Sequence, residues 1–272
     1  MRLRLMLLLM LALPMWAAAS NVRWEEHPEW APEFSGRGVV GTALVYDEQA
    51  DRYLVFDRKR AETRVSPAST FKLFNALVAL DTGAVKDEYE VIRWDGVKRH
   101  FYNCNRDQSL ASAMKFSVVW FYQEMARRAG PQRMQGWIDK TDYGNRDIGG
   151  GIDQFWLSGK LRISAVEQIA FLRRLAAGTL PFSARAQETV RRISMVDSAP
   201  DYVLHGKTGW AVHEDTARKN DLGWFVGWVE HDGKRWFFAI NVDMPNGLMD
   251  APKRIAIAHA LLGRVNALPK PP

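Results

Sequence analysis

The sequence predicts an α+β fold: an antiparallel sheet made from both chain ends and flanked by helices, with an all-helical region inserted between them. Three observations carry it. Runs of β-branched and aromatic residues lie near both ends of the chain, and apolar residues recur at helical spacing between them. Asp232-Gly233 separates two apolar runs, the signature of a two-residue hairpin. No repeat, low-complexity tract or Pro/Gly linker divides the 272 residues, so residues 20–272 read as one domain of two closely packed lobes.

Residues 1–19 read as an export signal. Arg2 and Arg4 precede the apolar stretch 5–13, which is short for a membrane span, and Ala17-Ala18-Ala19 offers a small-residue cleavage site before Ser20. The polar Asn21-Val22-Arg23-Trp24-Glu25-Glu26 that follows argues against a stable membrane anchor. The expected setting is a bacterial periplasm. With Cys104 as the one cysteine, neither an intrachain disulfide nor a Cys-based zinc site supports the fold.

Residues 41–46 and 52–56, joined by a polar connection, predict the first hairpin. Ser66-Pro67 opens the apolar run 71–80, with Ser66 as N-cap, Pro67 at the first helical position and Gly83 just past the end, which predicts a buried helix. Helical spacing recurs over 110–128, 132–140, 164–177 and 183–193, with a Gly- and Asp-rich loop over 143–153. Strands are predicted over 202–205, 223–229 and 236–242, and a closing helix over 252–262.

Composition excludes several classes. With 47% hydrophobic and 25% charged residues the chain is globular, neither disordered nor collagen-like. The formal charge of +6 is not clustered, since Lys and Arg alternate with Asp and Glu; the chain has no nucleic-acid signature, and the excess suits an anionic small molecule. Eleven tryptophans point to large rigid rings around a core or pocket. No residue pattern specifies an oligomeric state.

Gly36-Arg37-Gly38-Val39-Val40-Gly41 spells a dinucleotide-binding loop in the wrong context, because its glycines precede a strand and no helix follows; a turn entering the sheet is expected. Ser-x-x-Lys occurs twice, at Ser69-Thr70-Phe71-Lys72 and Ser112-Ala113-Met114-Lys115. Residues three apart on a helix share a face, so a Lys kept neutral by burial can act as base for the Ser hydroxyl. Ser69 opens an apolar helix where free amides meet a developing oxyanion, and Lys72 is flanked by Phe71, Leu73 and Phe74. Ser112 and Lys115 lack both features and read as a helix-surface pair. Lys207-Thr208-Gly209 directly follows a predicted strand, where Lys207 meets a substrate carboxylate and Gly209 allows close backbone approach. Ser-x-x-Lys followed by Lys-Thr-Gly is the active-site set of penicillin-recognising serine enzymes, here without the Ser-Asp-Asn element. His27, His100, His205, His213, His231 and His259 show no metal-ligand spacing, and no Gly-x-Ser-x-Gly elbow exists.

On these motifs the chain resembles the class D β-lactamases, or oxacillinases, over essentially its whole mature length. The resemblance rests on Pro67-Ala68-Ser69-Thr70-Phe71-Lys72, Ser117-Val118-Val119, Tyr143-Gly144-Asn145, Phe155-Trp156-Leu157 and Lys207-Thr208-Gly209-Trp210, all in the family order. It implies a serine β-lactamase and penicillin-binding transpeptidase-like fold that hydrolyses β-lactam antibiotics through an acyl-enzyme on Ser69. It also implies that carbon dioxide or bicarbonate carboxylates Lys72 to a carbamate general base, with no metal. By the same resemblance Ser117 relays a proton to the β-lactam nitrogen, and Trp156 hydrogen-bonds the carbamate. Val118 and Leu157 wall the pocket, the amides of Ser69 and Trp210 form the oxyanion hole, and Arg254 joins Lys207 and Thr208 in holding the substrate carboxylate. Tyr143, Gly144 and Asn145 are expected to shape the site wall, and the polar segment 213–220 to border the cleft.

The chemistry of Lys72 agrees. A Lys near its reference pKa of about 10.4 is neither a base nor reactive toward carbon dioxide, whereas burial among Phe71, Phe116, Val118, Trp156 and Leu157 is expected to lower it. Singly, Trp156 reads as a core ring, Ser117 as a helix serine bonded to its own backbone and Arg254 as a surface cation. Their joint occurrence with Ser69, Lys72 and Lys207 places them at a site. The alternatives are a penicillin-binding transpeptidase or carboxypeptidase, or a β-lactam sensor domain, each of which acylates without turnover.

Overall fold

A computed structural model describes residues 22–212 and 220–269; the expected leader, residues 1–19, and most of the segment 213–220 lie outside them. The chain runs β1 (Arg23–Glu26), α1 (Ala31–Ser35), β2 (Gly41–Asp47), β3 (Arg52–Phe56), α2 (Arg58–Glu62) and α3 (Lys72–Asp81). The helical region continues with α4 (Leu110–Lys115), α5 (Val119–Ala129), α6 (Pro131–Thr141), α7 (Ala165–Ala176) and α8 (Ala184–Ile193). It returns to the sheet through β4 (Met195–Ser198), β5 (Tyr202–Ala211), β6 (Asp221–His231) and β7 (Lys234–Met244), and closes with α9 (Ala251–Arg264).

Seven strands form one sheet in the order β1-β3-β2-β7-β6-β5-β4, so both chain ends build it, as expected. It is mixed rather than wholly antiparallel, because β1 lies parallel to β3 with Arg23 opposite Arg52. The cause is topological: the chain reverses through α1 and again at the β2–β3 hairpin, so β1 and β3 share a direction. The last hairpin turns at Asp232 (φ 49°) and Gly233 (φ 70°), the two left-handed residues that its two-residue turn requires.

Side chains alternate across the strands. Leu44, Tyr46, Trp224, Val226, Trp228 and Phe237 enter the core shared with the helical region, while Val45, Phe225, Phe238 and Ile240 enter a second core under α9. The helix α7 packs across β2, β6 and β7 on the first face, and α9 covers β6 and β7 on the second. Caps fix where helices begin: Ser164 and Glu167 cap α7 reciprocally, and the Ser183 hydroxyl accepts from the Ala186 N–H at 3.1 Å at the start of α8.

The single helix expected over 110–128 is broken. Residues 116–118 separate α4 from α5, with Ser117 in the left-handed region at φ 54°. The Ser117 and Val118 amides close the end of α4 onto Met114 and Ala113 carbonyls, so the chain re-enters a helix in a new direction at Val119. Ser112 forms a capping box with Ser109 and Lys115 is exposed, in keeping with a surface role for the second Ser-x-x-Lys. The Gly36–Gly41 glycines form the turn into β2 that their context predicted.

Candidate active site

Ser69 sits in a 3-10 turn, Ala68–Phe71, that runs directly into α3 at Lys72. Pro67 occupies the cap position, with Ala68 after it at φ 46°, so the helix begins later than the sequence suggests. Instead of serving mainly as an N-cap, the Ser66 hydroxyl contacts the Trp156 and Leu157 carbonyls at 3.3 and 3.1 Å. The indole N–H of Trp224 donates to the Ser66 carbonyl at 2.9 Å. The turn is thereby tied to both the sheet and the loop that carries Trp156.

One helical step brings Lys72 back under Ser69. Its Nζ is 2.5 Å from Ser69 Oγ and 3.3 Å from Ser117 Oγ. Lys207 Nζ donates to Ser117 Oγ at 2.9 Å and to the Thr208 carbonyl at 3.1 Å. Ser117 therefore bridges the two amines from the break between α4 and α5. Lys72 is fully buried and its pKa is held well below the ordinary value, first by lost hydration and then by the neighbouring Lys207 charge. Burial, with Arg254 nearby, pulls Lys207 down to about 7, and burial lowers Arg254 to about 10. Among the described residues no carboxylate pairs with any of the three, so the site is a buried electropositive hollow suited to an anionic ligand.

A cleft of about 510 Å³ opens over this cluster, lined by Ser69, Ser117, Leu157, Thr208, Trp210 and Arg254. Lys-Thr-Gly lies within β5 rather than beyond a strand end, because β5 pairs with β6 as far as Ala211. The β4 ladder ends at His205, leaving the Lys207–Ala211 edge of β5 open toward the cleft. Gly209 is needed for packing as much as for ligand approach: a Cβ there would lie 3.1 Å from the Pro67 carbonyl oxygen, Thr70 Cγ2 and Trp224 Cβ. Trp210 donates its indole N–H to Asp221 Oδ2 at 2.7 Å.

Two expectations change. Val118 does not wall the cleft; it is fully buried in the core, and Val119 faces the cavity instead. The reversed direction at Ser117 turns the first valine inward. Arg254, read singly as a surface cation, is only 8% exposed, and its Nε has no partner among the described residues. Trp156 is fully buried, stacks on Phe71 at 5.3 Å and leaves its indole N–H without an acceptor among the described residues. Tyr143 packs against Phe71 and Phe74, and Asn145 holds the Lys160 carbonyl and Arg162 amide, so this trio shapes the loop carrying Trp156.

Arg99, Phe101 and Leu248 also line the cleft, and none of them lies in a recognised sequence motif. Phe101 meets Trp210 edge-on at 6.3 Å across the opening. Cys104 is buried beside the cleft, and burial raises its thiol pKa.

Comparison with known proteins agrees with this arrangement. Residues 41–263 match the penicillin-binding protein transpeptidase domain. The chain is 45% identical over 249 residues to β-lactamase OXA-2 of Salmonella typhimurium, covering 91% of this chain and 88% of that protein. It is 44% identical over 222 residues to β-lactamase OXA-48 of Klebsiella pneumoniae, covering 82% of each. The structure of FUS-1 (OXA-85), a class D β-lactamase from Fusobacterium nucleatum subsp. polymorphum, superposes with a TM-score of 0.85 at 38% identity, covering 90% of this chain and 100% of that one. A buried Ser-Lys pair faced by Ser117 and Lys207, on a fold shared with these relatives, identifies the chain as a member of the class D β-lactamases.

Proposed function

We propose that this hydrolase opens β-lactam rings in two steps through an acyl-enzyme on Ser69. The observation that carries the reading is the fully buried Lys72 amine, 2.5 Å from Ser69 Oγ with no acidic partner among the described residues. An amine so placed favours its neutral form, the form that reacts with carbon dioxide, and Lys72 so carboxylated would take the Ser69 proton as Oγ bonds to the lactam carbonyl carbon. The amides of Ser69 and Trp210 receive the oxyanion, as the family resemblance implies. Lys207, Thr208 and Arg254 hold the substrate carboxylate. As the ring C–N bond breaks, Ser117 Oγ, in contact with both lysines, passes a proton to the departing nitrogen. Water then adds to the acyl carbon, Ser69 leaves with a proton, and the ring-opened acid is released.

The residues around Lys72 fit carboxylation by carbon dioxide, in which the neutral amine forms an N–C bond and releases one proton. The Trp156 N–H, without a partner among the described residues, would be the donor to the resulting carboxylate, as the family resemblance implies, and the aromatic wall of Phe71 and Trp156 excludes water around it. Bound there, that group supplies a general base for the hydrolytic water. Leu157 and Val119 confine the cleft on this side. No metal enters this scheme, and the substrates are β-lactams acting as small anionic ligands. Export to the periplasm, through residues 1–19, completes the proposal.

The test is a time course of the purified protein with ampicillin and a chromogenic cephalosporin, with and without bicarbonate, beside Lys72→Ala. The expected result is many turnovers per enzyme, rising with bicarbonate and absent in the variant. A single stoichiometric burst indifferent to bicarbonate would sink the reading.

A further inference from the structure

Behind the nucleophile lies a buried hydrogen-bond chain that the reaction scheme does not use. Gln168 Nε2 donates to Thr70 Oγ1 at 2.7 Å, and the Thr70 hydroxyl donates to the Pro67 carbonyl at 2.7 Å. The direction is fixed by chemistry. A carbonyl only accepts, so the Thr70 proton points to Pro67 and its lone pair to Gln168, which must present its amide N–H. Gln168 and Thr70 are each only 1% exposed, so no water competes for either bond.

The chain ends on a turn that needs holding. Ala68, between Pro67 and Ser69, is at φ 46°, a conformation unfavourable for a residue with a Cβ. The Pro67 carbonyl also accepts from the Thr70 amide at 3.1 Å, so one oxygen anchors the whole loop that carries Ser69. Gln168 comes from α7, which packs against the sheet and is capped at Ser164 by a separate set of bonds. The amide thus ties the nucleophile turn to a rigid element 98 residues away in sequence.

We propose that Gln168 is a positioning residue for the turn carrying the proposed nucleophile: through Thr70 it clamps the strained Pro67-Ala68-Ser69 backbone so that Ser69 Oγ stays within reach of Lys72. It touches neither substrate nor reacting atoms. The proposal rests on the assignment of Ser69 as nucleophile. Misplacing a reacting atom by about 1 Å costs roughly a hundredfold, so loosening the turn acts on bond formation and leaves the substrate-binding wall of β5 intact.

The experiment is stopped-flow acylation with a chromogenic cephalosporin, read beside the mass of the acyl adduct at Ser69 and the melting temperature. The proteins are wild type, Gln168→Leu, Gln168→Glu, Thr70→Val and the Gln168→Leu/Thr70→Val double variant. Gln168→Leu is expected to slow acylation about 10- to 100-fold, with the dissociation constant of the preceding complex and the pH profile of acylation unmoved. Gln168→Glu, which offers Thr70 no N–H and draws its proton away from Pro67, is expected to be similarly slow. In the Thr70→Val background the Leu substitution is expected to add nothing, since the amide acts through the hydroxyl. Wild-type acylation rates in folded Gln168→Leu, or single-variant losses that multiply in the double variant, would overturn the proposal. Failure of the wild type to form a Ser69 adduct would instead overturn the assignment of the nucleophile. If Gln168→Leu does not fold, the folded Glu variant and the Thr70→Val protein decide the question by the same rates.

Discussion

Lys207 Nζ donates to Ser117 Oγ at 2.9 Å, joining the sheet to the break in the helical lobe. Lys72 approaches the same hydroxyl from the other side at 3.3 Å. A hydroxyl between two amines is placed for the proton transfer proposed above, and the backbone at Ser117 lies at φ 54°. Ser117→Ala should lower turnover about a hundredfold. Ser117→Gly relieves the left-handed strain, worth about 1 kcal/mol, yet should be as slow as the Ala variant while melting higher. Steady-state kinetics and melting curves on the pair separate the two effects; wild-type turnover in the Gly variant would show that the hydroxyl is not needed.

The low pKa of Lys207, about 7, sets a pH dependence. Above that value the free enzyme loses the ammonium proposed to meet the substrate carboxylate, while Arg254, at about 10, keeps its charge. KM should therefore rise between pH 7 and 9 without loss of all binding. Folding responds with the opposite sense. Between pH 7 and about 10.4 the unfolded chain binds a proton at this position that the folded chain does not, so the Lys207 contribution to stability increases with pH across that window. Lys207→Met should be more stable than wild type at pH 7, with the gap closing toward pH 10, as urea midpoints at each pH will show.

Strands and helices with a buried face were legible because their pattern is their packing: Leu44, Val45 and Tyr46 alternate between two cores, and residues 71–80 are apolar except for Lys72 and Asn75. The missed elements lack that imprint. The strand β1 is charged and half-exposed, and β4 is exposed at all four positions, so each is held by its ladder and leaves no hydrophobic period. The break at Ser117 hid inside a run whose apolar spacing continues across it. At the site, Ser69, Lys72 and Lys207 were readable from short motifs. Trp156 and Arg254 were readable only through the family resemblance, because a buried indole and a helix arginine are each ordinary alone. Gln168, Asp221 and Phe101 act through contacts with residues far away in sequence, and no local pattern marks them.

The indole N–H of Trp156 has no acceptor among the described residues although the ring is fully buried. An orphaned buried donor costs about 1–3 kcal/mol, so Trp156→Phe should leave the melting temperature unchanged or raised. If that donor holds a carboxylate on Lys72, the same variant should need more bicarbonate for full activity. Titrating activity with bicarbonate, alongside carbon-13 NMR of enzyme equilibrated with labelled bicarbonate, checks both halves. A carbamate signal of wild-type strength in the variant, with no change in bicarbonate demand, would remove Trp156 from the proposed mechanism.

Lys72 is the strongest case of stability set against activity. Its amine is fully buried beneath Ser69, with the like charge of Lys207 nearby and no carboxylate partner among the described residues. A Met side chain has nearly the same length and shape and carries no group that loses hydration on folding. Lys72→Met should abolish turnover and gain about 1–3 kcal/mol at neutral pH, a rise of several degrees in melting temperature for a chain of this size. The gain should shrink above pH 10, where an unfolded lysine also becomes neutral and the difference between the states fades. Calorimetry in bicarbonate-free buffer at pH 7 and pH 10 measures the amine alone, and added bicarbonate should narrow the gap at pH 7 by stabilising only the wild type. A Met variant that melts below wild type at pH 7 without bicarbonate would show that the buried amine has a stabilising partner.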